Sequence, residues 1–333
     1  MSDAKYGRGV VIGKFYPPHR GHKLLIDTAA RRTERLTVIV CVKQSDSIPG
    51  DLRGAWIRAI HPGVEVLVID DSYDENDTRV WAENTIRWLG GAPDVVFTSE
   101  DYGEPYARAM NCAHVPVDKQ RIAVPCSGTA IRRDPYANWD FIEPPVRAWF
   151  TKRVCVVGAE STGTTTLAQA LAEHYQTVWV PEYGREYCVR KDARGETAWH
   201  SEEFVHIAQE QSRREDAAAC EANRVLICDT NAFATVLWHR RYLETPHPPL
   251  AAIAAARRYD LYLLTGDEIP FVQDGLRDGE HIRHDMHLWF IEALQAQATP
   301  WLLVTGPHEK RLVAAINAVD AMFRGSAWHA ARL

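Results

Sequence analysis

The sequence predicts an α/β protein of two domains, each built on a parallel β-sheet. Three observations lead to this prediction. The chain has 333 residues, about twice the usual length of a single domain. Short β-branched runs alternate with segments of helical length, which is the βαβ pattern of a parallel sheet. This alternation lapses around residues 134–150, where Pro135, Pro144 and Pro145 should break helices. We therefore predict domains at residues 1–150 and 151–333.

The strands are predicted from short apolar runs, each followed by a helical pattern. In the first domain the predicted strands cover residues 10–12, 37–42, 64–69 and 95–98. In the second domain they cover residues 153–157, 177–180, 225–228, 261–264 and 301–304.

Composition limits the function classes. Hydrophobic residues make up 46% and charged residues 25%, which is typical of a packed globular protein. The formal net charge of −6 argues against general adhesion to DNA or to an anionic membrane. The chain shows no secretion signal, no long apolar span and no Cys-x-x-Cys pair among its seven cysteines. These features predict a cytoplasmic protein in which any phosphate is bound at a local site, and they leave homo-oligomerisation open.

The first candidate site directly follows the opening strand, at residues 13–22. Gly13 lets the backbone approach a ligand closely, and Gly21 and His22 open a helix whose free amides favour an anion. Lys14, His19 and His22 can converge there as donors. This strand, loop and helix predict a phosphate-binding site.

A second segment of the first domain can contribute to the same site. Ser127 is a helix cap, and Arg132 follows Thr129 by three residues. A capped helix start and a guanidinium can together bind a polyphosphate.

The two segments resemble the nucleotidylyltransferase superfamily, with its G-x-F-x-P-x-H-x-G-H and S-x-T-x-x-R motifs. The resemblance implies a Rossmann-like fold and adenylyl transfer from ATP. It also implies that His19 and His22 hold the ATP phosphates and that Lys14 and Arg132 add positive charge. The implied remainder of the ATP site is Gly13, Phe15, Gly21, Ser127 and Thr129. Trp56 and Trp81 are candidates for stacking on a pyridinium ring.

The second candidate site follows the strand at 153–157. The run Gly158-Ala159-Glu160-Ser161-Thr162-Gly163-Thr164-Thr165 has the spacing of a P-loop, whose amides wrap phosphates at a helix N-terminus. Thr164 stands where a P-loop usually has lysine, whereas Thr165 keeps the hydroxyl that binds Mg²⁺.

Charged residues follow later strands of the second domain. Glu182 and Arg185 come after the second strand, and Asp229 follows the third in the position of a Walker-B acid. The segment 273–280 resembles a mobile lid and brings Arg277, with Arg283 just after it. Because carboxyl ends of parallel strands share one sheet edge, these groups predict a small-molecule kinase.

The order of the two domains, with Pro-Glu-Tyr-x-Arg-Glu and Asp-Gly-x-Arg, is similar to the NadR family of nicotinamide-nucleotide adenylyltransferases and ribosylnicotinamide kinases. The resemblance implies that nicotinamide riboside is phosphorylated in the second domain and that the mononucleotide is adenylylated to NAD in the first. ATP and Mg²⁺ would serve both reactions, with Mg²⁺ on Thr165 and Asp229. Some members carry an N-terminal helix-turn-helix, and we expect none here.

Three alternatives were weighed. A Rossmann dehydrogenase is rejected because Gly7 and Gly9 precede the strand predicted at residues 10–12 instead of following it. A zinc site at His281, His284 and His287 is rejected because these positions drift around a helix. The absent lysine leaves open a P-loop domain that senses nucleotides without turnover.

Overall fold

The computed structural model describes residues 5–73 and 77–325. The chain divides between residues 146 and 147 into two compact units, each an α/β fold with its own sheet. No helix among the described residues is long and apolar enough to cross a membrane.

The first unit contains a five-stranded parallel sheet in the order β3-β2-β1-β4-β5. Its strands are β1 (Tyr6–Gly13), β2 (Thr33–Val42), β3 (Glu65–Asp70), β4 (Val95–Thr98) and β5 (Ala113–Pro116). Its helices are α1 (Arg20–Arg32), α2 (Gly50–Ile60), α3 (Thr78–Leu89), α4 (Gly103–Met110) and α5 (Gly128–Arg133), followed by α6 (Pro144–Phe150) across the division.

The second unit repeats this architecture, with the strand order β10-β9-β6-β8-β7. Its strands are β6 (Lys152–Val157), β7 (Trp179–Val180), β8 (Val225–Asp229), β9 (Leu261–Thr265) and β10 (Trp301–Val304). Its helices are α7 (Thr164–His174), α8 (Tyr183–Ala193), α9 (Ser201–Ala219), α10 (Ala232–Leu243), α11 (Pro248–Ala256), α12 (Arg283–Gln295) and α13 (His308–Gly325). The predicted fold class is confirmed.

Each sheet is buried on both faces. Val10 and Ile12 pack into one core cluster of the first unit, whereas Val11 packs into the other. In the second unit Cys155 and Val156 likewise enter different clusters. Side chains of a strand alternate between faces, so helices must cover both sides of a fully apolar strand. Since the faces are covered, the carboxyl ends of the central strands β1 and β6 are where a ligand is expected to bind.

Two expectations about local structure were wrong. Strand β5 was not predicted, because the short sequence Ala-His-Val-Pro lacks the apolar run of a buried strand. The prolines near residue 145 do not break a helix but begin α6. Proline is tolerated in the first helical turn, where its missing N–H has no intrahelical partner.

Candidate active sites

The loop after β1 brings His19 to the start of α1. The backbone N–H of Gly21 donates to His19 Nδ1 at 3.1 Å, so His19 caps the helix with its side chain. Because Nδ1 accepts this bond, the proton of a neutral ring lies on Nε2. Phe15 is a residue of this loop; its side chain is buried, and its backbone has a positive φ of 45°. The predicted loop and helix start are therefore built around His19.

His19 and His22 form one packed pair. Their rings stack with centroids 3.8 Å apart, and the Phe15 ring meets His22 edge-on at 4.9 Å. Burial lowers the pKa of His19 to about 4, helped by the charge of Arg121. Burial, His19 and Arg121 also lower the pKa of His22 well below its ordinary value. Within the described residues, His22 Nδ1 is buried without a hydrogen-bond partner.

The segment before and within α5 lies against the same loop. Ser127 accepts a bond from the Ala130 amide at 3.1 Å, which confirms its role as a cap. Arg132 donates to Thr129 Oγ1 at 3.3 Å and to the Tyr16 carbonyl oxygen. A side chain at Gly128 would place its Cβ 2.5 Å from that carbonyl oxygen, so this close approach requires glycine. The two sequence motifs of the first unit therefore meet.

Three further residues of this site were not singled out from the sequence. Cys126 Sγ lies 3.3 Å from His19 Nδ1. The fully buried Arg53 donates to the Lys14 carbonyl oxygen at 2.6 Å and pairs with Asp46 at 2.8 Å. Arg121 acts on both histidines through its charge. Lone arginines on loops and helices carry no sequence signal that would distinguish them from ordinary surface residues.

The two tryptophans chosen as stacking candidates differ in accessibility. Trp56 lies in α2 and is only 6% exposed. Trp81 is half-buried in α3 and meets Tyr73 and Trp88 at centroid distances of 5.6 and 6.2 Å. Trp81 therefore offers the more accessible indole.

The P-loop of the second unit joins β6 to α7. Gly163 has a φ of +85°, and a Cβ on Gly158 would lie 2.2 Å from Thr265 Oγ1. Thr162 is buried, and its hydroxyl contacts the Ala159 carbonyl oxygen and Thr265 Oγ1, each at 2.7 Å. The Thr162 side chain therefore holds the loop, while the amides at the start of α7 stay available for an anion.

Two threonines of the P-loop hold the acid at the end of β8. The Thr165 hydroxyl donates to Asp229 Oδ2 at 2.6 Å, and Thr164 also bonds this carboxylate. Asp229 Oδ1 is buried without a hydrogen-bond partner in the described part of the chain. Burial raises the pKa of Asp229, and burial together with the Asp229 charge raises the pKa of Glu182 to about 8. Two carboxyl groups thus face the loop in a poorly hydrated setting.

The predicted lid segment lies over the P-loop. The Val272 amide donates to Ser161 Oγ at 2.9 Å, and Arg277 Nη1 lies 3.2 Å from the same oxygen. The Gly279 amide donates to Glu160 Oε2 at 2.6 Å. Arg185 pairs with Asp274 of this segment. The structure therefore brings Arg185 and Arg277 to the cavity of the P-loop.

Arg283 is placed differently from these two arginines. Its guanidinium donates to the carbonyl oxygens of Ser161 and Ile269 at 3.0 and 2.8 Å. These bonds hold the backbone of the P-loop, and Arg283 does not line the cavity.

Aromatic side chains complete the cavity and were missed from the sequence. Trp199 packs near Phe204 and Tyr242, with ring centroids 4.9 and 5.2 Å away. These three rings and Trp238 line the cavity that the P-loop closes. A helical pattern does not tell which aromatic residue faces a cavity and which faces the core.

Two histidines of the triplet near the lid lie beside Asp267. His284 pairs with Asp267 at 2.8 Å, and His287 lies 3.9 Å from that carboxylate. No cluster of three or more histidine, cysteine or acidic residues suited to a metal ion occurs within residues 5–73 and 77–325.

Comparisons with known proteins agree with this architecture. A cytidylyltransferase-like family model matches residues 10–134, and an AAA domain model matches residues 153–311. The chain is 30% identical over 293 residues to the trifunctional NAD biosynthesis/regulator protein NadR of Escherichia coli, covering 81% of this chain and 71% of that protein. It is 29% identical over the same shares to NadR of Salmonella typhimurium.

Solved structures are similar along nearly the whole chain. A crystal structure of NadR protein in complex with NR has a TM-score of 0.77 at 20% identity, with 98% of each chain covered. Another, in complex with NAD and AMP-PNP, has a TM-score of 0.72 at 20% identity and the same coverage. At 20% identity, these two structures show a shared fold. The family is shown by the identity to the sequence relatives. The chain therefore belongs to the NadR family.

Proposed function

We propose that this protein makes NAD from nicotinamide riboside in two steps, each with its own ATP site. The observation that carries the proposal is that each unit has a phosphate-type loop at the carboxyl end of its central strand, β1 or β6. Ligands of open α/β sheets bind at this edge. Family membership and the NR, NAD and AMP-PNP complexes of similar proteins support the choice of substrates.

In the first unit, the proposed reaction is adenylyl transfer to nicotinamide mononucleotide. A phosphate oxygen of the mononucleotide bonds to the α-phosphorus of ATP, the bond from that phosphorus to the bridging oxygen breaks, and pyrophosphate leaves. His19 and His22 would donate to the phosphates as neutral rings, since burial disfavours their charged forms. Lys14 and Arg132 would supply positive charge. The protein's contribution is positioning and charge stabilisation.

In the second unit, the proposed reaction is phosphorylation of the riboside. Its hydroxyl oxygen bonds to the γ-phosphorus of ATP, the bond from that phosphorus to the β–γ bridging oxygen breaks, ADP leaves with that oxygen, and the hydroxyl proton passes to Glu182 or Asp229. The rings of Trp199 and Tyr242 would offer the pyridinium the face opposite the cation that each already contacts, Lys191 at 4.6 Å and Arg241 at 4.8 Å, because its positive charge favours aromatic surfaces.

The second unit also offers ligands suited to Mg²⁺. Asp229 carries a buried, unsatisfied carboxylate oxygen, and the Thr165 hydroxyl lies beside it. Oxygen ligands of this kind suit Mg²⁺, which when bound neutralises charge on the phosphates.

One observation favours a second candidate for this unit. Thr164 supplies no positive charge to the phosphates, which would suit a domain that senses nucleotides without turning them over. The two candidates predict different products.

Product analysis tests the proposal. The full chain receives ATP and Mg²⁺ with either the mononucleotide or the riboside. We expect NAD and pyrophosphate from the mononucleotide, and ADP with further pyridine products from the riboside. A chain that converts the mononucleotide but leaves the riboside untouched would favour the sensing function.

A further inference from the structure

The P-loop of this protein has no lysine to place beside the β- and γ-phosphates. Thr164 occupies that position, and its hydroxyl bonds Asp229 at the side of the loop. Within the described residues no lysine lines the cavity. Lys191 contacts the ring of Trp199, which does line it, and pairs with Glu203. Among the described residues, any positively charged side chain that faces the phosphates beside Mg²⁺ must therefore be an arginine.

Three arginines near the loop are already committed to structural bonds. Arg241 is 5% exposed at its side chain and pairs with Glu160 and Asp278. Arg311 is buried and donates to the carbonyl oxygens of Thr162 and Gly266 at 2.6 and 3.1 Å. The third is Arg283, which holds the Ser161 carbonyl oxygen. Moving Arg283 or Arg311 would leave carbonyl oxygens of the P-loop without these partners, which is costly. Arg241 does not line the cavity.

Arg185 and Arg277 remain, and both line the cavity. The Arg185 side chain is 47% exposed, and it forms an ion pair with Asp274 of the lid segment. Arg277 is 24% exposed, lies 3.3 Å from Asp274 and reaches Ser161 Oγ of the P-loop. It also donates to the Val272 carbonyl oxygen, but this bond is exposed, unlike the bonds of Arg311 to Thr162 and Gly266. Arg277 is thus the one of the two whose guanidinium already contacts the phosphate-binding loop.

We propose that Arg277 supplies the positive charge that a lysine at position 164 would otherwise give to the ATP phosphates. A guanidinium presents a planar fork of donors that suits phosphate oxygens. Bonds from Val272 to Ser161 and from Gly279 to Glu160 hold its segment on the loop. The inference rests on the proposed kinase function and identifies the residue on which that function depends.

A double-mutant cycle between Arg277→Ala and Thr164→Lys tests this substitution of one cation for another. In the parent chain, Arg277→Ala should lower kcat/KM for riboside phosphorylation by about 100-fold, as expected for loss of a donor to developing charge. In the Thr164→Lys background the same change should cost less than about tenfold, since the lysine then supplies the charge. Arg213→Ala, which removes an exposed charge outside the cavity, should change neither rate.

Circular dichroism and the thermal unfolding transition of the full chain report whether the second unit of each variant is folded, and adenylyl transfer reports the same for the first unit. Equal losses from Arg277→Ala in both backgrounds, or no loss in the parent, would overturn the inference. Should Thr164→Lys fail to fold, Arg277→Lys takes its place. Arg277→Lys should then recover at least about tenfold of the rate that Arg277→Ala loses, and failure to do so would overturn the inference.

A second readout does not require turnover. The side-chain Nε–H NMR signal of Arg277, identified by its loss in Arg277→Lys, should shift when AMP-PNP is added and stay in place when AMP is added. Absence of a shift with AMP-PNP would overturn the inference even if the riboside is phosphorylated. A clear shift without phosphorylation would uphold the contact and instead contradict the proposed kinase function.

Discussion

The imidazole rings of His19 and His22 stack 3.8 Å apart, a distance at which two positive charges would repel strongly. Burial keeps the pKa of both rings below the ordinary histidine value. The Gly21 amide, by donating to Nδ1, leaves Nε2 of His19 as the donor. The first site therefore combines neutral imidazole donors with separate cations such as Arg132, and this division of roles can be tested.

The protonation state of the pair is the first prediction. A lowered pKa means that the rings stay neutral as the pH falls through 6.5. The NMR C2–H signals of His19 and His22, assigned through His19→Gln and His22→Gln, should hold their positions between about pH 8 and 5.5, whereas ordinary histidines titrate near 6.5. Titration of either ring near 6.5 in the free protein would contradict the buried stack.

The second prediction concerns catalysis by His22. His22→Ala should raise the activation free energy of adenylyl transfer by at least about 2 kcal/mol, because one preorganised donor to the phosphates is lost. The measured kcat should fall accordingly. Riboside phosphorylation by the second unit should not change. His61→Ala is the matched control, since His61 is also buried in the first unit but pairs with Asp27 away from the loop. A His22→Ala variant as active as the parent would remove His22 from the site.

The third prediction concerns recognition of the pyridine base. Trp81→Leu keeps bulk but removes the aromatic face, and should weaken mononucleotide binding by about 1–2 kcal/mol while leaving ATP affinity unchanged. Trp88→Leu alters the same aromatic cluster on the same helix and serves as the control. Equal losses for both ligands, or equal effects of both variants, would make Trp81 a packing residue.

The fourth prediction follows from the raised pKa of Glu182. At pH 7 a carboxyl group with a pKa of about 8 is mostly protonated, and its carboxylate form grows as the pH rises through 8. If this carboxylate takes the hydroxyl proton, kcat/KM for riboside phosphorylation should rise between pH 6.5 and 8.5, reporting the free enzyme. Glu182→Gln should abolish the rise and most of the rate. Exposed Glu202, changed to Gln, should leave the profile intact, and a parent profile flat across this range would exclude Glu182 as the base.

Much of the fold was predictable because short continuous apolar runs and helical segments alternate so regularly. The strands around Val11 and Cys155 are buried on both faces and leave a strong signal. Both phosphate loops directly follow such strands, so their positions could be predicted as well. Their local chemistry, such as the Ser127 cap, depends only on neighbouring residues.

The remaining features depend on contacts between distant residues. Arg311 reaches the carbonyl oxygen of Thr162 from 149 positions away. Nothing in its own helix, α13, signals that contact. The roles of Arg277 and Arg283 also diverge only in three dimensions, where one lines the cavity and the other holds a carbonyl oxygen. Sequence patterns indicate periodicity, but they do not show which long side chains contact one another in the folded protein.

The central claim is that one chain carries the riboside through two ATP-dependent steps. The most direct test supplies pyridine-labelled nicotinamide riboside as the only pyridine substrate, with ATP and Mg²⁺, and follows the products over time. We predict labelled mononucleotide first and labelled NAD after it, with His22→Ala stopping at the mononucleotide and Asp229→Asn stopping at the riboside. Labelled riboside that stays unconverted in the parent chain, under conditions where added mononucleotide becomes NAD, would contradict the account.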